Sequence, residues 1–283
     1  MLLFCTAFMS DKQAYKIYNS KGEASDYDKM LDEVIKADIV FFGEQHNNPI
    51  CHWLELELAK DVYKNKNDKL ILGAEMYETD IQLIVNEYLS GKISEKSFKD
   101  DAKLWPNDAT DYKPLLDFAK TNKLKFVASN VPRRYASIVS KKGFEALDSL
   151  DANAKIFIAP LPIKYDPDLK CYKEMTKMGG MGAMMMGKRV IENLPKAQAI
   201  KDATMAYFIY KNFSKGNTFI HYNGAYHSDN YQSIIWYLKQ LNPDLKIVTI
   251  SSVEQEDISN LNTDSQNIAD YIICIPQSMT KTY

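Results

Sequence analysis

The chain has no HExxH pattern, no cysteines at metal-ligand spacing, no long basic block and no apolar run long enough to cross a bilayer. Each absence removes a class of protein. The missing HExxH excludes a zincin helix. Cys5, Cys51, Cys171 and Cys274 stand far apart and read as unpaired thiols, so cysteine usage does not decide the redox compartment. A formal charge of -2, with lysines and acids interspersed, gives nucleic acid no electrostatic footing. Histidine is scarce too: His46, His52, His221 and His227 are the full complement, and they fall in two short stretches.

What remains is ample for a core. At 283 residues with 46% hydrophobic content, the chain needs no disulfide or metal staple. That length fits one large α/β domain carrying a sub-domain better than two independent domains. Residues 1–10, MLLFCTAFMS, read either as a loose or edge-strand N-terminus or as the remnant of an export signal or lipid-anchor region with Cys5 as the modified residue. Residues 11–283 then form the single domain.

Short apolar runs alternate with amphipathic stretches. Strands are expected at 15–19, 38–43, 69–75, 125–130, 217–222, 245–251 and 271–275, and helices at 27–36, 81–89, 115–119, 197–213 and 229–240. Leu54, Leu58 and Val62 recur at four-residue spacing and mark one more helix. The pattern predicts a mostly parallel central sheet with helices on both faces. It breaks at about 131–200, which reads as a helical cap inserted over the sheet. The Ser-, Asn- and Asp-rich stretch 252–269 reads as a surface excursion.

The run Ile39-Val40-Phe41-Phe42-Gly43-Glu44-Gln45-His46 ends an apolar strand in a carboxylate and an imidazole. In open α/β sheets the carboxyl ends of strands hold ligands. Glu75 closes the next strand, and His227 follows a late one through Asn223-Gly224-Ala225-Tyr226. Glu44, His46, Glu75 and His227 therefore share one sheet edge. Imidazole with carboxylate supplies ligands for a borderline divalent cation, or a base and its orienting acid for activating water. The same residues also suit helix capping and mutual pairing. His52 and His221 read as structural.

Between Met175 and Met186 the chain packs six of its 12 methionines around Gly179, Gly180 and Gly182. Thioethers fill irregular apolar surfaces that meet a large flat ligand or a partner, and a thioether or a tyrosinate can ligate iron. A core helix or a self-association face would use methionine as filler equally well. Arg133 and Arg134 follow Val131-Pro132 near the ligand edge, where a guanidinium suits a carboxylate or phosphate.

Ordered blocks of sequence then carry a resemblance. Val40 to Pro49 with His52, Leu72-Gly73-Ala74-Glu75-Met76, Trp105-Pro106 with Tyr112 and Pro114, Val131-Pro132-Arg133, and Asn223-Gly224-Ala225-Tyr226-His227 resemble the ChaN-like family of haem-binding bacterial lipoproteins. The Gly-Glu and Gly-x-x-His blocks are also similar to erythromycin esterases and to the Tiki and TraB proteins. The resemblance implies haem as cofactor, bound at a homodimer interface with two haems face to face and tyrosine on iron. It implies a protein lipid-anchored at the outer membrane or periplasmic, with an outer-membrane haem or iron receptor as partner. Tyr172 or Tyr165 is then the iron ligand, with Met178, Met181, Met184 and Met185 against the porphyrin and Arg133, Arg134 or Lys188 on the propionates. The stretch after His227 departs from relatives in lacking an arginine. A hydrolase using Glu44, His46, Glu75 and His227, with or without a divalent metal, is the other reading.

Overall fold

The computed structural model describes residues 12–177 and 188–283. Its centre is an eight-stranded sheet in the order β2-β1-β8-β7-β3-β6-β4-β5. The strands are β1 (Lys16–Asn19), β2 (Ala24–Ser25), β3 (Ile39–Glu44), β4 (Leu70–Glu78), β5 (Lys125–Asn130), β6 (Thr218–Gly224), β7 (Ile247–Gln255) and β8 (Tyr271–Pro276). Every pairing from β8 to β5 is parallel. At one edge β1 alone is reversed, pairing antiparallel with both β8 and β2. The expected α/β class holds; the short β2 has no apolar pattern to announce it.

β3 shows why the sheet forms here. All six of its residues are buried, as a strand covered on both faces requires, so it reads as a continuous apolar run rather than an alternation. Val40 and Phe42 point to one face, where they meet Leu54, Leu58 and Val62 of α2 (Pro49–Lys66). Ile39 and Phe41 point to the other, against Ala206 and Ile209 of the helix Lys188–Asn212 and Leu238 of the helix Ile234–Leu241. The period-two pleat thus assigns each side chain to one of two helical layers. On the α2 side lie α1 (Tyr27–Val34), α3 (Gln82–Leu89), α4 (Glu95–Asp101), α5 (Asp108–Asp111) and α6 (Lys113–Thr121). α1 starts cleanly because the Asp26 carboxylate accepts from the Lys29 backbone N–H. Asn48 caps α2 in the same way, with Pro49 in its first turn.

The remaining helices are α7 (Arg133–Lys142), α8 (Ala152–Lys155), α9 (Lys170–Lys177), α10 (Lys188–Asn212) and α11 (Ile234–Leu241). α7 packs on α10 through Tyr135, Val139 and Ile200. α9 packs there through Cys171, Tyr172 and Ala199.

Several boundaries differ from the pattern-based expectation: β4 continues past Glu75 to Glu78 through a register shift after Ala74, and three other differences are larger. α10 begins at Lys188 rather than near 197 and carries Pro195 within it. α11 begins only at Ile234, because Asn230, Tyr231 and Ser233 take φ of 58°, 57° and 52°, outside the helical region. β7 continues to Gln255, since Ser252 to Gln255 find partners along β8.

Candidate polar site at the carboxyl edge of the sheet

β3, β4 and β6 end side by side, and a cavity of about 650 Å³ opens there. Glu44, His46, Glu75 and His227 all line it, so the four residues read from separate blocks meet in one place. The close approach depends on Gly224: a Cβ there would stand 2.7 Å from His46 Nε2 and 3.7 Å from Glu75 Oε2. Gly43 serves the same end one strand away, where a Cβ would come within 2.9 Å of Ala225 Cα.

On one side, Glu44 Oε1 accepts from His46 Nδ1 at 2.6 Å and from the Tyr112 hydroxyl at 2.9 Å. Burial would raise this carboxyl, but the hydrogen bonds from His46 and His52 hold it down to about 2. Burial likewise opposes charge on His46, and the Glu44 hydrogen bond overcomes it and raises the imidazole. With Nδ1 engaged by Glu44, Nε2 is left to face the cavity. His46 also stands edge-on to Trp105, ring centroids 5.0 Å apart.

On the other side, His227 is clamped between two carboxylates. Its Nε2 lies 3.1 Å from Glu75 Oε1 and its Nδ1 2.5 Å from Asp202 Oδ1. Asp202 Oδ2 accepts from the Tyr172 hydroxyl at 2.8 Å, and Glu75 Oε2 accepts from the Gly224 backbone N–H at 2.9 Å. Burial works against the imidazolium, yet the two acids raise His227 to about 10. Burial also opposes the Glu75 anion, but the His227 charge holds that carboxyl well below its ordinary range. His46 at 35% side-chain exposure is the accessible imidazole; His227 at 6% is not.

His52 and His221 sit behind the cavity. His52 lies among Glu44, Glu55 and Asp111; burial opposes its charge, and Glu44 and Glu55 raise it to about 11. Burial pushes His221 down to about 4, so it stays neutral between Ser129 and Asn223.

Two free cations face the cavity. Arg133 is exposed and Lys201 half-buried, and neither forms an ion pair among the described residues. Arg134 instead pairs with Asp80 and stacks over Tyr135. Tyr172 is buried with its hydroxyl committed to Asp202. Tyr165 is half-buried, its ring 5.4 Å from that of Tyr172, and its hydroxyl makes no hydrogen bond among the described residues. Met178, Met181, Met184 and Met185, and the side chain of Lys188, lie outside the described residues.

Sequence reading missed Asp202, Lys201 and Gln198 on α10, and Glu55 and Asp111 around His52. A signal existed for Glu55. It interrupts the inward stripe of Cys51, Leu54 and Leu58, a costly position for a carboxylate with no partner. Asp202, fully buried on α10, carries the same mark.

The fold and the site define a class: a parallel α/β protein with two acid–imidazole pairs facing each other at the carboxyl ends of its strands. The family follows from the sequence as a whole. The chain belongs to the family described as haem-binding uptake, Tiki superfamily, ChaN, whose pattern matches residues 30–238. ChaN of Campylobacter jejuni, solved with cofacial haem binding, is similar in fold at 15% identity and a TM-score of 0.69, over 92% of this chain and 96% of that one. An erythromycin esterase mutant, EreC, in its open conformation has a TM-score of 0.54 at 10% identity, over 96% and 99%. Protein RETICULATA-RELATED 5, chloroplastic, of Arabidopsis thaliana is 25% identical over 141 residues, 48% of this chain. The chain spans about a fifth of that relative's length, the match covering 19% of it.

Proposed function

We propose that this chain is a haem-binding protein of bacterial haem and iron uptake, holding ferric haem between two copies of itself. The observation that carries the reading is the phenol pair Tyr165 and Tyr172, set just before the methionine-rich segment of a chain whose family is defined by haem binding. The residues present fit the group. Among the described residues Tyr165 offers a phenol with no hydrogen-bond partner, and Arg133 a guanidinium with no ion pair, suited to a propionate. Burial raises the Tyr165 phenol, so it gives up its proton only to a strong Lewis acid such as ferric iron. The haem iron supplies that acidity and the redox chemistry.

Tyr172 starts from a different position. Its hydroxyl would have to leave Asp202 before binding iron, which makes Tyr165 the better ligand of the two. Arg134, already engaged by Asp80, is second to Arg133 as a propionate partner, and Lys188, whose side chain lies outside the described residues, is a further candidate. Met178, Met181, Met184 and Met185 complete the proposed apolar contact. An outer-membrane or periplasmic location and hand-over to a receptor follow from the same reading.

Haem titration with absorption spectroscopy, read alongside sedimentation, tests it. The expected result is a tyrosinate-type ferric spectrum with haem-dependent dimerisation, lost in Tyr165→Phe and kept in Tyr172→Phe. A wild-type chain that neither binds haem nor dimerises with it refutes the reading.

A second reading rests on its own observation, the two acid–imidazole pairs around one cavity. His46, oriented by Glu44 and accessible through Nε2, is placed to exchange a proton with a bound water or ester. Glu75 and His227 complete the polar wall. Hydrolysis of an ester panel by wild type and not by His46→Ala supports this reading; an inert wild type removes it.

A further inference from the structure

Behind Glu44, on the side away from the cavity, lies a second group of donors. Glu44, His52 and Glu55 each offer one ligand atom, all within 4.8 Å of one another, and all three residues are buried. His52 Nδ1 lies 3.3 Å from Glu44 Oε2 and 3.2 Å from Glu55 Oε2. Two ligands about 2.0–2.2 Å from a tetrahedral cation are themselves about 3.3–3.6 Å apart. The imidazole therefore stands at ligand spacing from each carboxylate, and the whole set falls within 4.8 Å.

Two further observations point to an occupant. Glu44 Oε2 and Glu55 Oε1 are fully buried, and neither makes a well-aligned hydrogen bond among the described residues, although His52 Nδ1 stands 3.3 Å from Glu44 Oε2. Orphaned carboxylate oxygens in a native interior call for an ion or an unseen proton. The second observation is the far side of His52. Its Nε2 faces the His46 carbonyl at 3.2 Å and Asp111 Oδ2 at 3.4 Å. An outer carboxylate on one ring nitrogen fixes the tautomer and aims the other nitrogen's lone pair inward, as in histidines that ligate metal.

We infer that Glu44, His52 and Glu55 form a buried divalent-cation site, distinct from the cavity and from any haem. Two carboxylates and an imidazole suit Zn²⁺, Mn²⁺ or Fe²⁺ rather than a soft monovalent ion. Binding requires His52 Nδ1 and both carboxylates to be free of protons, so any proton they carry passes to solvent as the cation enters. Glu44 is the link to function: one oxygen on the cation and the other on His46 Nδ1 tie the cavity's accessible imidazole to a fixed charge. The inference does not depend on haem binding.

The test uses the full chain, stripped of haem and chelator-treated, loaded with Zn²⁺ alone. One Zn²⁺ per chain is expected, with an anomalous-scattering peak beside His52 Nδ1 and Glu55 in crystals of the wild type. Glu55→Gln is expected to weaken Zn²⁺ by at least about 100-fold and Asp111→Asn by about 10–100-fold, with Glu75→Gln unchanged. No stoichiometric Zn²⁺, a peak between His46 and His227, or full retention in Glu55→Gln overturns the inference. Should Glu55→Gln fail to fold, the wild-type anomalous map decides by itself.

Discussion

Asp202→Asn removes one charge from a buried chain of four groups and leaves the shape almost unchanged. In the wild type the Asp202 carboxylate takes His227 Nδ1 at 2.5 Å and the Tyr172 hydroxyl at 2.8 Å, with no solvent access. Removing one partner of a buried ion pair costs about 3–5 kcal/mol. Asparagine keeps an acceptor and Glu75 still faces His227, so the low end, about 3 kcal/mol, is expected. For a chain of this size that lowers Tm by roughly 6–12 °C.

The pH dependence is the sharper check. His227 is held up at about 10, above its value in the unfolded chain, so its contribution is full below about pH 6.5 and fades as pH rises through 10. The gap between wild type and Asp202→Asn should therefore be wide near pH 7 and narrow towards pH 10. Burial raises Asp202 itself, so on the acid side the wild type becomes protonated and comes to match the asparagine variant. Urea unfolding from pH 5 to 10 reads the whole curve. Equal stability at pH 7, or a gap that widens with pH, would refute the account of His227 as a clamped imidazolium.

Other expectations follow from the same structure. Tyr172→Phe should lose about 1.5–3 kcal/mol, the worth of a hydrogen bond to a charged group, in chemical denaturation. Imidazole NMR should find His221 still neutral at pH 5 and His227 still charged at pH 8, reflecting their opposite shifts to about 4 and about 10. Gly73→Ala places a Cβ 2.7 Å from Phe219 Cζ and should cost about 1–3 kcal/mol in denaturant midpoint without altering haem or metal binding. Asp26→Ala, which strips the cap from α1, should cost about 1 kcal/mol in the same assay.

The strands that carry the site were legible because burial on both faces writes itself as an unbroken apolar run, as in Ile39 to Phe42. Glu44 and Glu75 could be placed at one edge because each ends such a run. His227 could be placed because a Gly-containing turn separates it from another. Asp202 and Lys201 were not legible, since a helix can turn any of its residues towards a distant strand and only tertiary packing selects which. The late start of α11 escaped for a different reason: positive φ at Asn230, Tyr231 and Ser233 is a property of the folded turn, and Tyr and Ser do not advertise it. Tyr172 shows the limit most clearly. Sequence supplies a phenol in the expected neighbourhood, and only the fold reveals that its hydroxyl is spoken for by Asp202.

The order of the strands has a consequence for how the molecule is made. Ile39 of the central strand pairs with Phe219 on one side and Ile247 on the other. During synthesis β3 emerges early and waits, with both edges unpaired, until most of the chain has left the ribosome. Such long-range pairing folds slowly and exposes apolar edges to other chains meanwhile. Expression at low temperature, or with chaperone support, should therefore raise soluble yield more than any change to the finished protein's surface.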